Sequence, residues 1–370
     1  MKILHLGNPY FVHDFRDLGH EVVQVSIGEP GDIQLMHYPV GLKEIMTRLP
    51  SGWRPDLVVL GDHSAYPWVV GLEFLDVPLV WYAIDSHLHL SWHTQYAAVF
   101  DLIFVAQLDA VRYYRADPER QAVEWAPLFC DGRSDRRLGR ARDLPLTFVG
   151  TLNPKWNPDR VALIEALRRK MPIHVQSGPY VELFNRSQMV LNQNAANDVN
   201  FRTFQAMACG AVLLTERIGN GLSELFQEGV HYVGYDRGQV DQIVEAVAAY
   251  RDRPTEGEAI AEAGYRRVME AHTSRHRAER ILEVLARCDV SSMVASRRHR
   301  LLDVQGCLIT VYDMAWRRYL QGAMVYEPGT PGFVQLSGVA GQYRALADRI
   351  RAEFDRLIRE AVPPTVPLAS

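Results

Sequence analysis

The stretch Asn200-Phe-Arg-Thr-Phe-Gln-Ala-Met-Ala-Cys-Gly-Ala-Val-Leu-Leu-Thr215 decides how the rest of the chain is read. Phe201, Phe204, Met207 and Ala208 fall on one side of a short amphipathic helix, and Gly210 stops it. An apolar strand over 211–215 follows at once. Polar groups stand where the helix begins, and a helix N-terminus offers free backbone N–H groups to phosphate. A helix and strand in this order suit a phosphorylated ligand.

Working outward, strand-like runs occur at 2–6, 21–26, 56–60, 78–82, 101–106 and 122–125. A second series follows at 146–150, 173–176, 189–192, 211–215 and 232–234. Strands alternating with amphipathic stretches imply parallel sheets covered on both faces. Between the two series lies a charged, Gly-containing, non-periodic run, 131–145, which reads as a solvated linker. The expected fold is therefore α/β, with two Rossmann-like domains at 1–140 and 141–290 and a helical extension at 291–370. In that extension Ser296-Arg-Arg-His-Arg300 reads as a basic break. Helical stretches follow around 308–319 and 342–361, with Tyr343, Leu346, Ile350, Phe354 and Leu357 on one face of the second. A Gly/Pro-rich loop, 327–333, separates them, and the proline-rich stretch 363–367 reads as a frayed end. Simple packing, a homodimer through these helices, or a surface for a membrane or protein partner are all open for them. Open α/β sheets bind ligands beyond the carboxyl ends of their strands. If the two sheets face each other, that place is the cleft between them.

Composition excludes several classes. Of 370 residues, 48% are hydrophobic and 23% charged, which suits a globular chain of this organisation. The net charge of −4 argues against a broad nucleic-acid-binding surface. Cys130, Cys209, Cys288 and Cys307 lie far apart with no C-x-x-C, so neither a zinc site nor a disulfide framework is expected, and a reducing cytoplasm fits. The chain opens directly on a strand-like run, with no signal-peptide pattern. The most apolar long window, 67–84, contains Glu73, Asp76 and Pro78 and is too polar to span a bilayer.

The multi-part pattern over 145–285 resembles the group 1 glycosyltransferases, and within them the branch related to spore-maturation and spore-coat-type proteins. It reads Asn200-Phe-Arg202-Thr-Phe204-Gln205-Ala-Met-Ala-Cys-Gly210, then Thr215, then Gly221-Leu-Ser-Glu224-Leu-Phe226. Tyr180-Val-Glu-Leu-Phe184, Ser187 and Val190-Leu-Asn192 upstream, and Ala263-Gly264, His272-Thr273 and Arg277 downstream, complete it. In the first domain Gly61-Asp-His-Ser64 and Asp85-Ser-His-Leu-His89 resemble the acceptor half of such enzymes. The resemblance implies the GT-B fold, a nucleotide diphosphate sugar held mainly by the second domain, and no required metal or other cofactor. The wider group often carries Glu-x7-Glu, one glutamate near the sugar and one on the ribose. Those places hold Asn197 and Gln205 here, with Asp198 a neighbouring acid that can substitute. A Gln still accepts through its carbonyl and donates through its amide, so ribose recognition survives the second change.

The donor-site candidates are then Gly150, Lys155, Arg160, Asp198, Asn200, Arg202, Gln205, Gly221 and Leu222. Arg202 presents a forked donor to phosphate oxygens at a helix start, against the plainer role of pairing with a local acid. Lys155 and Arg160 follow the first strand of the second domain, where cations stabilise a departing diphosphate; solvated surface is the alternative. Gly221 and Leu222 offer backbone N–H groups, or form an ordinary glycine turn. The candidates for catalysis are His63, Asp85 and His89, at strand ends of the first domain, with Asn197. His-x-His at 87–89 has no further ligand cluster to support a metal. The resulting expectation is a cytoplasmic, metal-independent glycosyltransferase of the retaining kind. It would move a sugar from a nucleotide diphosphate donor, a UDP-sugar in preference, to a hydroxyl on a glycan, protein or small molecule. A non-catalytic nucleotide-sugar-binding protein and a sugar-nucleotide epimerase are the alternatives.

Overall fold

The computed structural model describes residues 1–114 and 121–361; the Leu357 side chain and the stretch 363–367 lie outside them. The chain divides into two compact units. One takes in Met1–Phe104 and the described residues of Arg112–Glu124 and from Arg287 on; the other holds Val105–Val111 and Trp125–Ala286.

In the first unit the strands are β1 (Lys2–Gly7), β2 (Glu21–Ile27), β3 (Ile33–Leu35), β4 (Val40–Gly41), β5 (Leu57–Gly61), β6 (Val69–Val70), β7 (Leu79–Ala83), β8 (Leu102–Val105) and β9 (Ala122–Trp125). Seven form one sheet in the order β3-β2-β1-β5-β7-β8-β9, while β4 and β6 pair separately. The β2–β1–β5–β7 centre is parallel. Every residue of β5 and β7 is buried, as unbroken apolar runs require when both faces of a sheet are covered. Order reverses at β1, beside which β5 lies, so the carboxyl ends of β1, β5 and β7 form a switch point.

The helices after residue 290 belong to this same unit. They run Val290–His299, Leu301–Ala323 and Pro331–Ala361, longer and more continuous than the periodicity indicates. The basic run 296–300 is not a break: Arg297 lies within the first of these helices and is only 1% exposed. It forms an ion pair with buried Asp101 and donates to the carbonyls of Leu75 (2.6 Å) and Val77 (3.1 Å). Those carbonyls lie in the irregular stretch before β7, so the guanidinium satisfies them as well as the carboxylate. Val304, Leu308, Val311, Tyr312 and Ala315 form the buried stripe of the second helix. On the third, Tyr343 is fully buried, stacks on Tyr319 at 5.5 Å and donates to the Pro67 carbonyl at 2.9 Å.

The second unit is a five-stranded parallel sheet of β10 (Leu144–Val149), β11 (His174–Gln176), β12 (Ser187–Asn192), β13 (Val212–Glu216) and β14 (Val233–Tyr235), in the order β11-β10-β12-β13-β14. Its core joins Leu146, Phe148, Leu191 and Leu214 from the strands to Leu163, Ile164, Ile243 and Val247 from flanking helices. The run 131–145 differs from the expected solvated linker because its polar groups find partners on this unit. Arg142 donates to the Ser187 and Gly210 carbonyls, and the Leu138 N–H donates to Asn185 Oδ1 at 2.6 Å. Arg137 lies over the Tyr265 ring at 3.7 Å. Asp135 is 1% exposed and accepts from Tyr180 Oη at 2.7 Å. Arginine stems and forks cover apolar and carbonyl surface that hydropathy counts as solvated.

Candidate functional site

In the second unit, β10, β11 and β12 end side by side, and the Phe201–Ala208 helix starts above them. Between these ends opens a cavity of about 360 Å³, lined by Gly150, Thr151, Arg160, Ser177, Gly178, Tyr180, Asp198, Asn200, Arg202 and Gln205 among others. Six of the nine donor-site candidates therefore share one cavity.

Arg202 projects from the first turn of its helix. Its Nε donates to the Val149 carbonyl (2.9 Å) and its Nη1 to Asn192 Oδ1 (2.8 Å), while the guanidinium lies 4.8 Å from the centre of the Phe148 ring. Burial, reinforced by the like charge of Arg160, pushes its pKa down to about 10. It is still a cation at neutral pH. Arg160, 8% exposed, donates through Nε to Gln193 Oε1 (2.9 Å), through Nη2 to the Gln193 carbonyl (3.1 Å) and through Nη1 to the Thr151 carbonyl (3.3 Å). Burial lowers its pKa too. Among the described residues neither arginine is in an ion pair with a carboxylate: their acceptors are neutral carbonyls and amides. The Asp198 carboxylate in the same cavity favours both cations without bonding either, and a ligand anion in direct contact would offset more of their desolvation.

Gly150 leaves room for the Arg202 guanidinium. A Cβ on it would stand 2.5 Å from Arg202 Nη2. Asn200 holds the N-cap position in extended conformation, yet its side chain makes no capping bond. Its Nδ2 donates to Asn194 Oδ1 at 3.0 Å, and its buried Oδ1 has no partner among the described residues. An unpaired buried acceptor at the cavity wall invites a ligand hydroxyl or N–H. Gln205 donates through Nε2 to Tyr180 Oη at 2.8 Å. Asp198 lines the cavity, but its Oδ1 already accepts from the Ala195 and Ala196 N–H groups (2.8 and 3.2 Å) and folds the loop before the helix.

Three donor-site candidates stand apart from this cavity. Lys155 is exposed, its N–H bonded to Asn153 Oδ1 at 2.9 Å. Gly221, at φ +87°, packs its backbone on Trp125, whose ring would be 2.5 Å from a Cβ there. The Leu222 N–H is bonded to the Gly219 carbonyl (3.2 Å) and its side chain is buried. Neither residue lines the cavity around Arg202. Asn197 is exposed at φ +59°, a conformation asparagine tolerates, and its carbonyl accepts from Asn220 Nδ2 at 2.8 Å. Asn220 Nδ2 also reaches Gln107 Oε1 (2.6 Å), which accepts from the Val199 N–H (3.2 Å), so this loop is pinned from both sides. Sequence reading missed Tyr180 and the Ser177-Gly178 turn as cavity walls, although Gly178-Pro179 after a strand is a readable turn signal.

His63, Asp85 and His89 belong to the first unit, at the carboxyl ends of β5 and β7. Asp62 anchors them: it is 3% exposed and accepts from the N–H groups of Ser64 (2.9 Å), Ile84 (3.1 Å) and Asp85 (3.4 Å). Burial raises its pKa to about 6, against the lowering effect of those bonds. Ser64, at φ +60°, has its Oγ 3.0 Å from His89 Nε2. Burial lowers the pKa of His89, and that of His63 to about 4, so both are neutral proton acceptors at pH 7. One turn beyond His89, His93 is fully buried, with Nδ1 2.8 Å from Tyr114 Oη, which lies 2.9 Å from Ser86 Oγ. Its place at i+4 from His89 was the available signal. Among the described residues no group of three or more His, Cys, Asp or Glu side chains is placed to hold a metal ion.

Residues 133–283 match the family described as glycosyl transferase-like. The matched segment contains every residue that lines the 360 Å³ cavity. No curated protein sequence matches the chain. Among solved structures, Anabaena HepE in complex with UDP is 14% identical, with a TM-score of 0.56 over 78% of this chain and 100% of that one. A glycosyltransferase from Rickettsia africae is 9% identical, with a TM-score of 0.55 over 76% of this chain and 97% of that one. Sucrose-phosphate synthase from Thermosynechococcus elongatus is 9% identical, with a TM-score of 0.54 over 78% and 100%. The shared fold is GT-B, with a helical region at the C-terminal end of this chain. No helix of the described residues is long and apolar enough to cross a membrane.

Proposed function

We propose that this chain is a glycosyltransferase whose second unit binds a nucleotide diphosphate sugar in the 360 Å³ cavity. The observation that carries the reading is the pair of buried Arg160 and half-buried Arg202: both charged, both lining the cavity, and neither, among the described residues, in an ion pair with a carboxylate. A diphosphate supplies the missing anion next to Gly150 and the start of the 201–208 helix. Gln205 and Asn200 Oδ1 meet ribose or sugar hydroxyls, and the Ser177–Gly178 turn is left for the base. UDP-sugars are favoured because HepE, of the same fold, was solved with UDP and with UDP-glucose. In the first unit, neutral His63 and His89 beside Asp85 are the groups suited to orienting an acceptor hydroxyl or taking its proton. The resemblance to group 1 enzymes supports retention of configuration and independence from metal. Calorimetric titration with UDP, UDP-glucose and uridine tests the reading. It expects both diphosphates to bind and uridine to bind far more weakly; no binding of any nucleotide diphosphate would sink it.

A non-catalytic nucleotide-sugar binder is the second reading. Asn197 carries no acid, and Asp198 Oδ1 is committed to loop N–H groups, which ties that carboxylate to the fold of the loop. Incubation with radiolabelled donors separates the two. Slow donor hydrolysis without acceptor supports an enzyme, tight binding without turnover on any acceptor supports the binder, and a changed sugar without acceptor would mark an epimerase.

A further inference from the structure

The first unit holds a second cavity, unconnected with the nucleotide reading. It is a groove of about 700 Å³ between the β4–β6 pair with its following helix, Leu42–Arg48, and the long Pro331–Ala361 helix. Leu42, Met46, Val70, Phe74, Ala345 and Leu346 give it apolar walls. Phe74 is 56% exposed, a large cost for an aromatic ring with no covering group. Only three lining residues bring polar side chains: Lys43, Gln342 and Arg349.

The charges are one-sided. Among the described residues no carboxylate lines the groove. Among the described residues the side chains of Lys43 and Arg349 form neither an ion pair nor a hydrogen bond, and both residues are exposed. The neighbouring acids are engaged elsewhere: Glu44 with Arg48 (2.7 Å) and His37 (3.5 Å), and Asp348 with Arg351 (2.9 Å). An apolar trough with two unpaired cations complements one chemistry, a hydrocarbon chain ending in an anion. A peptide would ask for backbone partners, and the two-residue strands β4 and β6 offer few. The apolar residues line a concavity instead of a protruding face, which suits withdrawal of one chain more than contact with a bilayer surface.

We propose that this groove binds a single alkyl or isoprenoid phosphate, its chain against Met46, Phe74 and Leu346 and its phosphate between Lys43 and Arg349. The segment from Asp62 to Val70 runs from the carboxyl end of β5 directly into the groove wall. The ligand would thus sit on the same connection as His63. The proposal concerns binding and stands whether or not the transferase reading holds.

Titration calorimetry on the full chain with octyl, decyl and dodecyl phosphate, below their critical micelle concentrations, tests it. One site is expected, with affinity rising about fourfold for each added methylene, the equivalent of 0.8 kcal/mol, until the groove is full. Inorganic phosphate should not bind there. The double variant K43E/R349E should lose about tenfold or more in affinity for dodecyl phosphate, and Leu346→Glu should lose saturable binding. Thermal melts and UDP titration of each variant report on folding and on the other site separately. Affinity independent of chain length, equal binding of a neutral dodecyl glycoside, or wild-type affinity in K43E/R349E would overturn the proposal. So would retention on phosphatidic acid vesicles without binding of the single molecules. A dimer seen in ultracentrifugation and abolished by Leu346→Glu would assign the groove to a second copy instead.

Discussion

Arg202 Nη2 occupies the space a side chain at Gly150 would need, 2.5 Å from the position of its Cβ. The strand end and the helix start are thereby fitted to each other through one guanidinium, which also binds the Val149 carbonyl at 2.9 Å. Gly150→Ala must displace that guanidinium. Affinity for UDP should fall about tenfold, the equivalent of a lost charged hydrogen bond, with little change in melting temperature. Undiminished UDP affinity in this variant would show that the position of Arg202 does not matter to the ligand.

Arg202→Ala should weaken UDP by about tenfold to a hundredfold, as expected for a charge-assisted hydrogen bond worth roughly 1.5–3 kcal/mol, while uridine changes little. The contrast between the two ligands is the measurement. Equal losses for both would mean that Arg202 holds the loop and never meets phosphate.

Gln205 has a reason to be an amide. Tyr180 Oη gives its only proton to Asp135 Oδ1 at 2.7 Å and accepts from Gln205 Nε2 at 2.8 Å. Gln205→Glu would turn an oxygen toward a hydroxyl with no proton left, beside a buried carboxylate. Urea unfolding at pH 7 should show a loss of about 1–3 kcal/mol. A variant as stable as the parent would mean that the Tyr180 proton is free to reorient.

Arg297→Met leaves the Asp101 carboxylate buried without its cation, along with two carbonyls without a donor. A loss of about 3–5 kcal/mol is expected in urea unfolding, and R297M combined with Asp101→Asn should recover part of it. A double variant worse than R297M alone would place the effect in packing.

Asp62 has its native pKa raised by burial to about 6, so the folded chain holds its proton more tightly than the unfolded one. Its stabilising contribution is fully present below the unfolded value, is lost as pH rises through about 6, and amounts to roughly 3 kcal/mol for a two-unit shift. Asp62→Asn should flatten the dependence of stability on pH between about 4 and 6. An unchanged slope in that window would assign it to other groups.

Much of the molecule was legible because parallel sheets need unbroken apolar strands. The runs at 2–6, 56–60 and 189–192 all became central strands within a residue or two. The short strands β3, β4 and β6 were not readable, since two or three residues carry no period. The cavity around Arg202 could be anticipated because strand ends and a helix start locate it by topology. What sequence could not convey was the partner of each polar group. The arginines of 131–145 and Arg297 look alike on paper, yet one set grips carbonyls of the second unit and the other is sealed against Asp101. Gly221 shows the same limit: a glycine before a helix reads as a phosphate turn, and the Trp125 ring beside it lies far away in the chain.

The pairing of Arg297 with Asp101 has a consequence for biosynthesis. Asp101 leaves the ribosome early, whereas its counter-ion follows only after the entire second unit has been translated. Until then the first unit carries an unneutralised acid and lacks its three C-terminal helices. Co-translational folding should therefore complete the middle of this chain before its beginning, and nascent chains stopped short of residue 297 should be the ones that chaperones retain.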